Sequence, residues 1–247
     1  MKRLMILVSI LGLAALGGFF NPAVADVTNS YHLNTISIWD ISGTYSNDAL
    51  SVMYTLSQDG KGKITGTGSA VYSNVDLYAE MDFDIKGHIM THHDTTTLHF
   101  VMDTSGNVDY EGQTYPFSVT GGYKADVDPE KKALVGSIRV NVQIGDETVS
   151  LNETFTEAMP AGMDGHADLD VVFQEAGKGI VGNAVLTLSN GVKLNYSVKG
   201  ALDARKGGRF QLKGLGDAKG SSINLTTDAS YNLIGVKGRV MGQKIEM

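Results

Sequence analysis

The chain is 247 residues long and carries a formal charge of −7, with acidic and basic residues dispersed rather than gathered in runs. That balance excludes a nucleic-acid surface, which needs clustered Lys and Arg to displace counterions from phosphates. Cysteine is absent, which excludes a disulfide framework, a thiolate nucleophile, Cys-ligated zinc and a lipid-modified N-terminal Cys.

The first segment reads as an export signal. Lys2 and Arg3 form a positive start, Leu4 to Phe20 is almost continuously apolar, and Asn21-Pro22 breaks any helix. Ala23-Val24-Ala25 then supplies the small residues that a signal peptidase needs, so cleavage is expected after Ala25. The alternative is a retained anchor, since about 17 apolar residues lie at the lower edge of a spanning length. Losing Lys2 and Arg3 with the leader takes the formal charge from −7 to −9. The leader style and the missing thiols point to a bacterial periplasmic or extracellular protein. No later stretch is apolar enough for a transmembrane helix.

Beyond the leader nearly every segment alternates apolar and polar residues, the period of a strand with one dry and one wet face. Ser51–Leu56 leads into a Gln-Asp-Gly-Lys-Gly turn. Residues 75–85 put Val75, Leu77, Ala79, Met81, Phe83 and Ile85 on one face and Asp76, Glu80, Asp82 and Asp84 on the other. Further strands are predicted near 97–102, 115–124, 134–144 and 148–156, separated by turn residues such as Asp128-Pro129-Glu130. Ala158 to Gly165 is the one concentrated Pro/Gly stretch after the leader. Strands are then expected near 168–174, 179–188, 192–203, 209–215, 222–229, 235–241 and 243–246. Asn190-Gly191 is a strong hairpin signal because both residues accept positive φ. Glycines inside strands, such as Gly200, Gly214 and Gly238, predict sharp curvature.

A β-rich unit is written twice. Gly60-Lys61-Gly62 answers Gly177-Lys178-Gly179, Lys86-Gly87 answers Lys199-Gly200, and Leu134-Val135-Gly136 answers Leu233-Ile234-Gly235, in the same order. The expected organisation is a signal peptide at 1–25, a first β repeat at 26–157, a connection at 158–166 and a second β repeat at 167–247. The fold class is all-β, an antiparallel meander of about 13 strands from two duplicated halves sharing one core as a barrel or sandwich. A β-solenoid would need a much shorter repeat than this period of about 100 residues.

Chemistry is sparse. His88, His92, His93 and His99 cluster with Asp94 in one predicted hairpin, where imidazoles and a carboxylate suit a divalent metal such as zinc or copper. Apart from such a divalent metal, no cofactor is expected. Asp126 to Glu130 lacks the glycine and distal Glu of a calcium loop and reads as a charged turn. The carboxylates of 76–84 lie on one face and lack the contrasting environments of a glycosidase pair. Trp39, Tyr45, Tyr54, Tyr72, Tyr78, Tyr110 and Tyr115 suit either a sugar-stacking platform or half-buried ends of a β core, the second being the commoner use. No Gly-x-Ser-x-Gly elbow, phosphate loop or His-Glu-x-x-His helix occurs.

The residues therefore point to a non-enzymatic exported β protein with a binding or structural role in the cell envelope. Its more specific form is a carrier whose small hydrophobic ligand sits in a dry cavity lined by Leu77, Phe83, Leu194 and Val198. An outer-membrane β-barrel and a metal-binding protein built on the 88–99 hairpin are the alternatives.

Overall fold

A computed structural model describes residues 28–47, 51–73, 78–92, 95–110, 113–176, 179–203 and 205–247. The predicted leader at 1–25 lies outside them. The early strands are β1 (Thr28–Ser37), β2 (Gly43–Asn47), β3 (Val52–Gln58), β4 (Lys63–Ser73) and β5 (Tyr78–His92). They are followed by β6 (Thr95–Tyr110), β7 (Gln113–Asp128), β8 (Ala133–Ile144) and β9 (Glu147–Ala158). The remainder are β10 (His166–Ala176), β11 (Gly179–Leu188), β12 (Lys193–Asp203) and β13 (Gly207–Gly214), then β14 (Ser222–Thr227), β15 (Leu233–Val240) and β16 (Gln243–Glu246). Among the described residues, regular helix is limited to one 3₁₀ turn at Gly216–Ala218.

The strands form two curled antiparallel sheets of eight, each a half-barrel. The first runs β2-β3-β4-β5-β6-β7-β8-β9 and the second β1-β10-β11-β12-β13-β14-β15-β16. All-β meandering architecture is thus as the alternation predicts, with 16 strands among the described residues where about 13 were expected. Period-two patterning accounts for the geometry: Ala167, Leu169, Val171 and Phe173 of β10 are buried, while Asp168, Asp170 and Gln174 face water. In β5, Phe83, Ile85 and Ile89 point inward and Asp82, Asp84, Lys86 and His88 outward.

Two expectations need correction. Thr28–Ser37 was placed in the first repeat, yet β1 pairs with β10, Leu33 opposite Leu169, and so completes the second sheet. The core is not shared either. Leu169, Leu186, Leu194, Val198, Phe210 and Leu212 belong to one buried cluster, and Tyr54, Ile64, Ile85, Leu98, Phe100 and Leu134 to another. An eight-stranded sheet that curls this strongly can bury its own inner face, so neither half needs the other's.

The duplicated motifs fall on equivalent strands once β1 stands in for β2. Gly60-Lys61-Gly62 joins β3 to β4, as 177–178 lie between β10 and β11. Gly87 of β5 is paired with Phe100 of β6, and Gly200 of β12 with Phe210 of β13. In both places a Cβ would run into the backbone of the neighbouring strand and the paired Phe, so glycine lets an aromatic ring lie over the strand.

The halves meet along the segment between β1 and β2. Trp39 N donates to Gln243 Oε1 (2.9 Å) and Gln243 Nε2 donates to Trp39 O (2.6 Å). From the first sheet, Gln58 Oε1 accepts from Ile41 N (3.0 Å) and Gln58 Nε2 donates to Met241 O (3.1 Å). Both amides are buried, and these bonds satisfy polar groups that would otherwise be costly there. Nearby, Gly62 and Gly242 have φ of +81° and +83°, and a Cβ on either would lie 2.7–2.8 Å from the Cα of the other. Only glycine allows both the backbone angle and that approach.

Candidate functional site

On the inner face of the first sheet an apolar row runs on beyond the packed core, bounded on β9 by exposed Glu147 and Glu153. Phe117 and Val119 of β7 pair with Ile144 and Val142 of β8, and Val142 and Val140 pair in turn with Val149 and Leu151 of β9. By strand parity these residues share a face with buried Tyr123. They are nonetheless uncovered: Val149 is 56% and Leu151 51% exposed, and Phe117, Val119, Val140 and Val142 are only half-buried. The second sheet, with shorter strands, has no comparable extension among its described residues.

Where the open face meets the core sits a carboxylate. Glu157, on β9, is buried, with its Oε2 accepting from the Tyr54 hydroxyl and from the Tyr123 hydroxyl (3.3 Å). Its Oε1 is buried without a hydrogen-bond partner. Aromatic rings surround the group: Tyr45 stacks on Tyr54 (centroids 5.2 Å apart), Phe100 on Tyr123 (4.2 Å), and Phe155 leans on Tyr123 (4.5 Å). Burial raises the carboxyl above its ordinary pKa, against the opposing pull of the two hydroxyl donors. Burial, then neighbouring phenol and carboxyl groups, pushes Tyr54 far above the usual phenol range; burial and Glu157 do the same to Tyr123. Burial therefore disfavours the charged form of all three groups.

Beside this cluster the sheet forks. Pairing of β5 with β6 stops at Asp84 opposite Asp103, although β5 continues against β4 back to Tyr78 and β6 continues against β7 to Tyr110. A cleft of about 800 Å³ occupies the fork. Tyr54, Phe83 and Met53 supply its apolar lining, and Asp82, Asp84 and Asp103 its charge, with no Lys, Arg or His among the lining residues.

The residues expected to line one cavity are not brought together. Phe83 lies in the first core and borders the cleft, while Leu194 and Val198 are packed inside the second core; Leu77 lies outside the described residues. The histidine hairpin does form, from β5 and β6. His88 and His99 are direct cross-strand partners on the exposed face, with ring centroids 5.6 Å apart. His92 pairs with Thr95 four residues further along, about 13 Å away at strand rise. His93 lies outside the described residues, and among those described no three His or acidic groups converge as a metal would need. The segment 126–130 is a turn, in which Asp128 Oδ1 accepts from Glu130 N (3.1 Å) and Lys131 N (3.0 Å). Glu80, Asp82 and Asp84 face water as predicted; Asp76 lies outside the described residues.

Of the aromatics, Tyr45 and Tyr54 are core residues. Glu157 escaped sequence reasoning because the predicted strand stopped at 156. Extended by one residue, it would have placed a carboxylate on the same parity as Val149, Leu151 and Phe155, and that was the available signal. Comparison with family models, curated proteins and solved structures finds no match.

Proposed function

We propose that the protein is a non-catalytic binding protein that holds a small apolar or amphipathic molecule on the inner face of its first sheet. One observation carries this reading: the apolar row of β7, β8 and β9 runs on past the packed core and stays half-buried to exposed among the described residues. Each such side chain would contribute about 1.5–3 kcal/mol if covered, enough that a handful in contact with a guest supports micromolar binding. The hydrophobic-carrier role thus moves from a cavity between the repeats to the open end of one of them. The leader read at 1–25 sets this role outside the cytoplasm, in the periplasm or beyond.

An outer-membrane barrel is less well supported. The outward positions of β5, β6 and β7 include Asp82, Asp84, Lys86, Asp103, Lys124 and Asp126, all exposed. Charges on a lipid-facing surface cost about 2–4 kcal/mol each at mid-bilayer for basic residues and somewhat less for acidic ones.

Titration with the neutral fluorophore N-phenyl-1-naphthylamine tests the proposal. Micromolar binding is expected, weakened roughly tenfold or more by Val149→Asp with Leu151→Asp. Both side chains are exposed, so the far-ultraviolet circular dichroism spectrum should not change. Absence of binding, or binding indifferent to the two substitutions, would sink this role.

A further inference from the structure

We infer that β9 is an open sheet edge along which the protein pairs, strand to strand and antiparallel, with a second copy of itself. The inference goes beyond the binding role proposed above, because pairing along an edge leaves the inner face clear.

Four strands end the two sheets, and three of them are blunted. β2 has five residues and β16 four. The edge at β16 is charged as well as short, since Lys237 and Lys244 each hold Glu246 at 2.6 Å. β1 is longer, but its register with β10 slips between Leu33 and Ile36. Shortness, bulges and charge are the usual protections of an edge against pairing with another chain. β9 lacks all three protections along its outer-face positions. Its twelve residues run in unbroken register with β8 and include no Lys, Arg or Pro, and every residue from Glu147 to Thr154 is exposed. Among the described residues, no strand pairs with its other side. β16 ends the second sheet as β9 ends the first, so the architecture itself does not call for a long open edge.

The strand also fits its own copy. A two-fold axis at Leu151 sets Leu151 opposite Leu151, Val149 opposite Glu153 and Glu147 opposite Phe155 on the inner face. On the outer face the same register sets Thr148 opposite Thr154 and Ser150 opposite Asn152, uncharged pairs that suit a ladder. Matching faces requires shifts of two residues. One such slip opposes Glu147 to Glu153 and the other opposes Glu147 to Glu157, both disfavoured by like charge. The glutamates thus select the register instead of blocking the edge. Val149 and Leu151, more than half exposed in the single chain, gain cross-strand neighbours in it. Main-chain hydrogen bonds supply the affinity, and a contact that uses the same strand from both chains closes as a dimer.

Sedimentation velocity on the purified protein tests this: it should be mostly dimeric at about 50 µM and dissociate on dilution, as a micromolar constant requires. Thr148→Lys with Thr154→Lys should weaken dimerisation at least about tenfold, and so should Thr148→Glu with Thr154→Glu, whereas mixing the two variants should restore a dimer. Both threonines are exposed and their β8 partners, Gln143 and Ser137, are uncharged, so the fold should stand. These changes leave the inner face as it is, so N-phenyl-1-naphthylamine binding by the Lys variant reports separately on the binding role. Should the variants fold poorly, single cysteines decide, since the chain has none of its own. Leu151→Cys should cross-link on mild oxidation, because directly opposed Cα atoms lie about 4.5–5.5 Å apart, within disulfide reach. Val149→Cys should not, being about 13 Å from its own copy at strand rise. Equal cross-linking at the two positions, or a Lys variant as dimeric as the unaltered protein, would overturn the pairing. A monomer at every concentration would overturn it too, and would leave the edge to an extended segment of another protein.

Discussion

The two sheets answer one plan with different chemistry. In the second, Tyr31 stacks on Phe173 (5.3 Å) and Phe173 meets Phe210 edge-on (4.9 Å), next to Leu225. In the first, the corresponding strands carry Tyr45, Tyr54, Phe100 and Tyr123, and β9 adds Glu157. The aromatic cluster is common to both and so belongs to the architecture. Both cores hold tyrosine hydroxyls, Tyr196 in the second, but among the described residues only the first buries a carboxylate between two of them. Burying that carboxylate is costly, and Phe173, Phe210 and Leu225 fill the corresponding places next door without one. What a duplicated fold spends in one copy and omits in the other is the best internal indicator of where function sits.

The comparison can be broken most forcefully at its shared element. Phe100→Ala and Phe210→Ala should each cost about 3–5 kcal/mol, since both rings are buried and both are paired with a glycine. Urea unfolding followed by circular dichroism measures it; a cost below about 1 kcal/mol at either position would show that the two clusters are not equivalent. The next test exchanges the chemistry. Tyr54→Phe copies the second half into the first but leaves Glu157 short of a donor, for an expected loss of about 1–3 kcal/mol. Adding Glu157→Leu and Tyr123→Phe should recover most of it, because apolar replacement of all three partners leaves no unsatisfied group. If the triple variant is no more stable than Tyr54→Phe, the carboxylate is not the strained member.

The smallest effect is on acidity. Glu157 is raised above its ordinary 4.5, chiefly by burial. The folded chain therefore keeps a proton that the unfolded chain releases, and stability falls as pH climbs from 4.5 to the raised value. Glu157→Gln removes that dependence. Near neutral pH its Tm should exceed that of the unaltered protein by roughly 2–4 °C, about 1 kcal/mol in a chain of this size, and the gap should close toward pH 4. A gap that widens on acidification would refute the assigned direction.

Period-two patterning made the sheet-built fold readable, and glycine placement made the doubling readable, because turns and cross-strand approaches allow few other residues. Gly87 and Gly200 are the clearest case. What stayed hidden depended on long-range pairing. Nothing local to Thr28–Ser37 says that its partner is β10, since its alternation would suit either sheet. The fork was hidden for the same reason: Asp82 and Asp84 read correctly as outward-facing, but only tertiary structure brings Asp103 opposite and ends the ladder there. Leu194 and Val198 were read as lining because alternation marks an inward face without saying whether that face is filled.

The position of β1 has a kinetic consequence. Consecutive hairpins can assemble the first sheet as the polypeptide is made, but His32 and its partner Asp170 are 138 positions apart. The opening strand must wait, unpaired, until the later part of the chain has been synthesised. Such non-local closure lowers folding rates and prolongs the exposure of an adhesive edge. Maturation of the second sheet should therefore be the slow step, and a chaperone that shields extended segments should hasten recovery of the native protein by suppressing its aggregation.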